Sequence, residues 1–259
     1  MDRVHLFEWE DQPWWPDVLR DAMTAYLSRI MDVTRMLEPL LPKVLEAVER
    51  SGAERIIDLC SGAGGPAAQV ARGLAERGSA LPVHCSDLFP NRVQLQAAAE
   101  GSDGRLTFEH APVDATDVPQ HLVGLRTLFN AFHHFPPEVA REVLEDAHDK
   151  GQPIAVFELV DRGLGNLLGV PLIPLFVLGM LPTVRPFDWR WLPLTYLLPV
   201  IPFAVQWDGL VSMLRVYRPD ELERLVEGLD GFDWEIGRIQ LDAPGIPIFA
   251  TYLVGRSKA

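Results

Sequence analysis

The sequence predicts an α/β protein built on a doubly wound, mostly parallel sheet, and three observations predict it. Residues 55–66, Arg-Ile-Ile-Asp-Leu-Cys-Ser-Gly-Ala-Gly-Gly-Pro, pass from an apolar stretch into a glycine-rich loop and a helix start. Further short apolar segments alternate with helical ones up to residue 160. Near the carboxyl end, strand-like segments at 232–241 and 246–255 flank a turn cluster at 242–245.

The elements between these landmarks follow from periodicity. Residues 21–49 are expected to be helical, because leucines and valines recur at helical spacing, with a break where Pro39 and Pro42 remove backbone donors. A helix is expected at 138–150, and the last helix opens at Pro219 with acids in its first turn. The remaining strands are expected at 82–86, 105–111, 125–129 and 151–160.

The glycine-rich loop is the centre of this pattern. Ser61, Gly62, Ala63 and Gly64 follow the first strand directly, and glycine allows a ligand to approach the backbone closely. Pro66 suits the first turn of the helix that follows. The spacing also fits the Gly-x-Gly-x-x-Ala fingerprint of dinucleotide sites. The loop by itself therefore predicts a nucleotide site without naming the nucleotide.

Composition excludes several classes of protein. The chain has 259 residues and is 48% hydrophobic, so it can bury a core and is not disordered. Its net charge of −13 argues against a broad phosphate-binding surface, and nucleic acid is not an expected partner. Cys60 and Cys85 are expected to be free buried thiols, and no metal-ligand cluster is expected. These features, with an acidic rather than signal-like start, predict a cytoplasmic protein.

Asp58, inside the first strand, helps to distinguish which nucleotide cofactor the loop would bind. From Asp58 to Gly64 the sequence resembles the class I S-adenosylmethionine (SAM)-dependent methyltransferases of the small-molecule type, whose first motif is an apolar strand ending Asp-Leu-x-x-Gly-x-Gly. The resemblance covers residues 53–160 well and the carboxyl-terminal part loosely. It implies a seven-stranded Rossmann-like methyltransferase sheet with a closing antiparallel strand, and SAM as the cofactor.

The resemblance also implies where the cofactor is held. Asp87, after the second strand, would accept the ribose hydroxyl protons, with Leu88 against the adenine; the alternative for Asp87 is a helix N-cap. Asp114 would face the adenine amino group, and the alternative is a turn aspartate. The implied cofactor contacts are Asp58, Ser61, Gly62, Ala63, Gly64, Asp87, Leu88, Asp114, Ala115 and Asn130.

Three residues are candidates for catalysis. The stretch Asn-Ala-Phe-His-His-Phe-Pro after the fourth strand resembles the fourth motif of small-molecule methyltransferases, and in it His133 is either a general base or a packing residue. Glu158, near the end of the fifth strand, is either a base or the partner of Arg162. Asp208 is either paired with Arg215 or, if it faces the pocket, a base or orienting group.

The chain is expected to be a single domain, 1–259, in four parts. These parts are an N-terminal helical arm at 1–50, a SAM-binding core at 51–160, an apolar cap at 161–217, and the last helix with the closing hairpin at 218–259. The cap contains two uncharged runs, each interrupted by three prolines, which disfavour a membrane span. We therefore expect a folded cap that lines an apolar pocket, with membrane-surface contact as the less favoured alternative.

The amino-terminal residues allow two interpretations. Trp9, Trp14 and Trp15 lie among acids, and they either pack the arm on the body or form an aromatic lid over the substrate. Within the resemblance, Tyr26 and Arg29 would meet the amino-acid end of the cofactor.

The expected function is SAM-dependent methyl transfer to a small apolar or aromatic molecule. The alternatives are a SAM-binding or S-adenosylhomocysteine-binding protein of the same fold without methyl transfer, such as a cyclase or a binding module, and a membrane-surface methyltransferase acting on a lipid-like acceptor. An NAD-dependent oxidoreductase ranks last. The sequence names neither the acceptor nor the oligomeric state, and it is compatible with a homodimer.

Overall fold

A seven-stranded sheet organises the chain in a computed structural model that describes residues 2–241 and 248–258. The strands are β1 Ile56–Asp58, β2 Val83–Cys85, β3 Leu106–Phe108, β4 Leu125–Phe129, β5 Ile154–Glu158, β6 Phe232–Leu241 and β7 Ile248–Ser257. Their order is β3-β2-β1-β4-β5-β7-β6; β1 to β5 run parallel, and β7 is antiparallel to both its neighbours. The expected seven-stranded, mostly parallel sheet is confirmed, while the predicted turn at 242–245 lies outside the described residues.

Helices cover both faces of this sheet. They are α1 Asp17–Thr34, α2 Leu41–Ser51, α3 Gly65–Glu76, α4 Arg92–Glu100, α5 Pro137–Asp149, α6 Leu164–Gly169, α7 Ile173–Met180, α8 Val200–Arg215 and α9 Pro219–Val226. A 3-10 turn at Glu38–Leu40 separates α1 from α2, at the break that Pro39 predicts. The first described arm residues, 2–16, form no regular helix or strand.

Side-chain alternation in the strands creates two cores. Ile56 of β1 packs with Val70 and Leu74 of α3 on one face, whereas its neighbour Ile57 packs with Val143 of α5 on the other. Successive residues of a strand point to opposite faces, so strands that are buried on both sides are apolar throughout. This double burial explains why the central strands read as continuous apolar runs.

The cap is a helical layer that packs on α1. Its first uncharged run is divided into α6, a 3-10 turn at Val170–Leu172, α7 and a second 3-10 turn at Leu181–Thr183. The last three of these pieces each have a proline near their start, because proline fits the first helical turn but interrupts a longer helix. Met23 of α1, Val177 of α7 and Ile201 of α8 belong to a third core, which joins the cap to the N-terminal helix.

Candidate active site

A cavity of about 700 Å³ lies at the carboxyl ends of β1, β2 and β4. This is the edge of a doubly wound sheet where ligands generally bind. The walls come from the glycine-rich loop, the ends of β2 and β4, α1 and the N-terminal arm. Among the lining residues are Leu6, Phe7, Glu10, Arg20, Leu27, Cys60, Ser61, Gly62, Ala63, Asp87, Leu88, Phe89, Asn130 and His134. The structure thus brings Ser61, Gly62, Ala63, Asp87, Leu88 and Asn130 to one cavity.

The glycine-rich loop needs its glycines for two different reasons. Gly62 has a φ of +53° on the cavity wall, a conformation that L side chains rarely adopt. Gly64 is not among the lining residues; its φ is +76°, and a Cβ there would lie 2.9 Å from Leu95 Cδ2 of α4. Gly64 therefore shapes the loop from behind, where the Leu95 side chain would have to shift to admit a Cβ, and the structure gives no support to the direct cofactor contact expected of it.

Asp58 also acts from behind the wall. Its side chain is buried, Oδ1 accepts a hydrogen bond of 2.8 Å from Thr127 Oγ1, and Oδ2 accepts one of 2.7 Å from Ser61 Oγ. Burial raises the pKa of Asp58 to about 7. Because both oxygens are bonded inside the protein and neither lines the cavity, the expected cofactor contact is corrected: Asp58 positions Ser61, which does line it.

Asp87 lines the cavity and braces the loop. Its Oδ2 accepts a 2.7 Å hydrogen bond from the Gly62 N–H, and Oδ1 accepts one of 2.7 Å from the Phe89 N–H. Burial raises the pKa of Asp87, although both N–H donors oppose the rise. The N-cap alternative is wrong, because Asn91 caps α4 by accepting from the Gln94 N–H.

Asp114 and Ala115 lie away from the cavity wall. The Asp114 side chain is exposed, and its Oδ1 accepts hydrogen bonds from the backbone N–H and the hydroxyl of Thr116, at 2.9 and 2.8 Å. This is the turn alternative, and the structure gives no support to the adenine contact expected of the two residues.

Arg20 of α1 was missed by sequence reasoning. It is buried on the cavity wall, donates to the carbonyls of Glu10 and Gln12, and lies over the Phe89 ring at 4.4 Å from its centroid. Arg29, which the resemblance favoured, instead bonds Thr183 and pairs with Asp32 near the surface. One cation among several on a helix carries no signal of its own, because the loop carbonyls that hold Arg20, those of Glu10 and Gln12, have no side-chain pattern in the sequence.

A second cavity of about 170 Å³ adjoins the first, and Glu10, Leu27, Met31, Asn130 and His134 line both. Most of its wall is apolar, and the polar exceptions include Glu10, Asn130, His133, His134, Asp208 and Ser212. The apolar residues on its wall include Met23, Tyr26, Leu27, Ile30, Met31, Met36, Leu159, Ile173, Val205 and Met213. An apolar wall with a few polar groups suits a small apolar ligand that carries one reactive polar atom.

His133 and Glu158 form a buried dyad beside this second cavity. Glu158 Oε1 accepts a 2.9 Å hydrogen bond from the His133 backbone N–H, and Oε2 lies 2.7 Å from the ring Nδ1. With the carboxylate ionised and the ring neutral, Nδ1 would carry the proton and Nε2 would keep a lone pair. Within the described part of the chain, Nε2 is buried without a hydrogen-bond partner. Glu158 therefore pairs with His133, and its expected alternative partner Arg162 pairs with Glu221.

Asp208 holds the N-terminal arm. Its Oδ1 accepts from the Trp9 N–H at 2.9 Å and its Oδ2 from the Glu10 N–H at 3.1 Å. Burial raises the pKa of Asp208 to about 7. Arg215, the expected partner of Asp208, instead pairs with Asp11, so that expectation was wrong. Asp208 lines the second cavity as an orienting group whose oxygens are occupied by the arm.

The arm is also tied down by an ion cluster. His134 Nδ1 lies 2.8 Å from Glu8 Oε2 and 2.7 Å from Asp11 Oδ1, and Arg215 pairs with the same two carboxylates. Burial alone would lower the pKa of His134, but the carboxylates of Glu8 and Asp11 raise it well above its ordinary value. The arm consequently packs on the body, as the first interpretation has it, with Trp15 in the third core and Trp9 packed against it. Leu6 and Phe7 line the large cavity, whereas Trp9, Trp14 and Trp15 are not among the lining residues of either cavity, so the aromatic lid stays a prediction.

Three side chains in and beside this cluster lie close enough together to hold a metal ion. Ligand atoms of Glu8, His133 and His134 lie within 4.8 Å of one another, a geometry that the sequence spacing does not reveal. The protonated His134 and Arg215 already bring positive charge to Glu8. We therefore describe the group as an ion-pair cluster.

Comparison with solved structures finds methyltransferases. Human N-acetylserotonin methyltransferase in complex with SAM has a TM-score of 0.54 at 15% identity, over 94% of this chain and 57% of that one. The methyltransferase domain of bacterial CtHen1 has a TM-score of 0.51 at 11% identity, over 85% and 99%. The plantazolicin methyltransferase BpumL in complex with S-adenosylhomocysteine has a TM-score of 0.50 at 12% identity, over 93% and 96%.

The comparisons show a similarity of fold. No protein-family model and no curated protein matches the chain. The chain spans less than two thirds of the human methyltransferase and 59% of an O-methyltransferase family protein from Burkholderia thailandensis. At these identities the likeness concerns the fold. The sheet order, the glycine-rich loop and the solved structures together show that this chain has the fold of the class I SAM-dependent methyltransferases.

Proposed function

We propose that this protein binds SAM in the large cavity and transfers its methyl group to a small apolar or aromatic acceptor in the second cavity. The observation that carries the proposal is the His133–Glu158 dyad: His133 lines the second cavity, and its Nε2 is buried without a hydrogen-bond partner in the described part of the chain. Asn130 and His134, on either side of that histidine in the chain, line both cavities. A base at this junction is placed to act on an acceptor that meets the cofactor.

The residues of the large cavity fit a nucleoside cofactor. Gly62 presents backbone without a side chain, and Asp87 beside it has carboxylate lone pairs beyond the two used by backbone N–H groups. Leu88 and Phe89 offer apolar surface for a base, and Arg20 holds the Phe89 ring in place. A volume of about 700 Å³ is within the usual range of such sites. SAM, when bound, supplies an electrophilic methyl group on a sulfonium.

The residues of the second cavity position the acceptor and accept its proton. Its apolar wall orients the acceptor and keeps water away, which contributes to the rate by holding the reacting atoms together. His133 Nε2 accepts the proton of the acceptor O–H or N–H as the acceptor attacks. The Glu158 carboxylate keeps the proton on Nδ1 and stabilises the imidazolium that forms. Glu10 adds a carboxyl oxygen, Oε1, that is buried without a partner in the described chain and can hydrogen-bond a polar acceptor group.

Calorimetric titration of the purified protein with SAM, S-adenosylhomocysteine and NAD tests the cofactor. We expect binding of the first two and not of NAD; binding of NAD alone would refute the proposal. An acceptor screen with small phenols, aromatic amines and other apolar molecules then follows S-adenosylhomocysteine formation by mass spectrometry. Tight SAM binding with no turnover on any acceptor class would favour the binding-protein alternative.

A further inference from the structure

The cap carries an outward apolar face. Ten large hydrophobic side chains between residues 168 and 203 are exposed: Leu168, Leu172, Leu175, Phe176, Trp189, Tyr196, Leu197, Leu198, Val200 and Phe203. The elements that bear most of them pack on one another, since α7 contacts α8 and the π-helical turn Pro193–Leu197. The Tyr196 hydroxyl also donates to the Leu178 carbonyl. We call these ten side chains the cap face. The sequence led us to expect an inward cap lining, and this outward face is a departure from it.

This face lies along the protein surface and is not arranged as a span. The segment Asn166–Thr183 is long and apolar enough to cross a membrane, with a mean hydropathy of 1.7, and only 17% of it is buried. Its helical pieces are short, however, and Val177 and Leu181 anchor it in the third core. A helix layer with one face packed on the protein and an apolar face outward has the arrangement of an interfacial element.

Charge distinguishes the cap from the rest of the chain. Residues 163–207 contain only Arg185, Asp188 and Arg190 as charged side chains, a net charge of +1. The total of −13 therefore leaves −14 for the remainder of the chain. Arg190 is strongly exposed beside this face, and Trp189 and Tyr196 belong to it. Exposed aromatics with polar tips and cations next to an apolar surface are typical of the membrane–water interface.

We propose that the cap face docks on a lipid bilayer, with its apolar side chains inserted at the boundary between headgroups and acyl chains. Ile173 of α7 and Val205 of α8 turn inward and line the second cavity, so the docking layer and the acceptor site share the same helices. The docking stands independently of methyl transfer. If the proposed function also holds, an acceptor dissolved in the bilayer lies one helix layer from the second cavity.

Flotation of the full-length protein with phosphatidylcholine vesicles tests the docking. The test variant is Leu175→Glu with Leu197→Glu, at side chains that are 64% and 77% exposed. The control is Val93→Glu with Val123→Glu, at side chains elsewhere that are 62% and 51% exposed. We expect the natural protein and the control to float with the vesicles, and the cap variant to bind at least tenfold less. Circular dichroism and SAM titration establish that both variants are folded.

Flotation at high salt and a measurement of the oligomeric state complete the test. Because insertion is apolar, we expect flotation to persist in about 1 M salt, where charges are screened beyond about 3 Å. Absence of flotation, equal flotation of the cap variant, or flotation limited to anionic vesicles and abolished by salt would each overturn the proposal. So would a stable dimer in light scattering that the cap variant converts to a monomer, since the face would then be an interface between copies. A protein that floats but fails to bind SAM would refute the proposed function alone.

Discussion

Replacing Glu158 with glutamine should remove the base function of His133 while leaving the histidine in place. The Glu158 oxygens accept from the His133 backbone N–H at 2.9 Å and from its ring Nδ1 at 2.7 Å. A glutamine can keep its single oxygen on the backbone N–H, and its amide then donates to Nδ1. The ring proton must then move to Nε2, which leaves no lone pair there to accept a proton. The side chain remains, but the tautomer is wrong for accepting a proton.

The expected magnitude follows from general-base catalysis. A positioned base contributes about 10²–10⁴ to the rate, which is about 2.7–5.5 kcal/mol of barrier at 1.36 kcal/mol for each factor of ten. Since Glu158 and His133 act as one unit, Glu158→Gln, His133→Ala and the double variant should lose similar amounts. SAM affinity should stay the same in all three, because neither side chain lines the large cavity.

Two assays measure this prediction. Turnover on an acceptor from the screen is followed as S-adenosylhomocysteine, with kcat and KM determined separately. The ¹⁵N chemical shifts of the His133 ring report the tautomer and need no acceptor. We expect the proton on Nδ1 in the natural protein and on Nε2 in Glu158→Gln. Natural turnover in a variant whose ring proton has moved to Nε2 would refute the base assignment. A natural protein with the proton on Nε2 would refute the dyad geometry.

Three further predictions follow from the other carboxylates and from His134. Asp87→Ala should weaken SAM binding by about 1.5–3 kcal/mol in calorimetry, while Asp114→Ala, away from the cavity, should not; equal effects would reject the ribose assignment. Burial raises the pKa of Asp58 to about 7, so its contribution to stability is present below its ordinary pKa and is lost as the pH rises through 7. The free energy of unfolding in urea should therefore rise for Asp58→Asn, relative to the natural protein, by up to about 4 kcal/mol between about pH 4 and pH 8. A difference between the two proteins that does not change with pH would contradict the buried charge. The raised pKa of His134 means that its ion pairs stabilise the fold fully below its ordinary pKa and are lost as the pH rises through the raised value. His134→Gln should be less stable than the natural protein near pH 6 and closer to it at alkaline pH, and a gap that widens with pH would disprove the ion pairing.

The residue types of the proposed base and its partner could be predicted from the sequence, but their pairing could not. A histidine after β4 and an acid at the end of β5 are visible in the sequence, because parallel strands end at the same edge of a sheet. Their bond depends on a register that pairs Phe129 with Phe157 and on the 3-10 turn Phe132–His134. Neither the register nor the turn is encoded in local spacing, so Arg162 remained an equal candidate as the partner of Glu158.

The contacts of the arm and the buried face of the cap could not be predicted from sequence patterns. Asp208 bonds Trp9 and Glu10, almost two hundred residues away, and no periodicity links such partners. In the cap, apolar side chains occur on every side of α7, so the helical period does not indicate which face is buried. That choice is made when α7 packs on α1 and α8.

The sequence by itself determined the strand–loop–helix corner and the doubly wound sheet, because these depend on short-range patterns of apolar residues, glycine and proline, whereas the antiparallel closure followed from the resemblance to the methyltransferases. Only the tertiary structure decided which polar groups meet. It placed Asp58 and Gly64 behind the cavity wall, assigned Glu158 to His133, bound the arm through Asp208 and His134, and turned the cap face outward. The physical reason is that hydrogen bonds, ion pairs and burial depend on distance in space, and packing brings together residues that the chain keeps far apart.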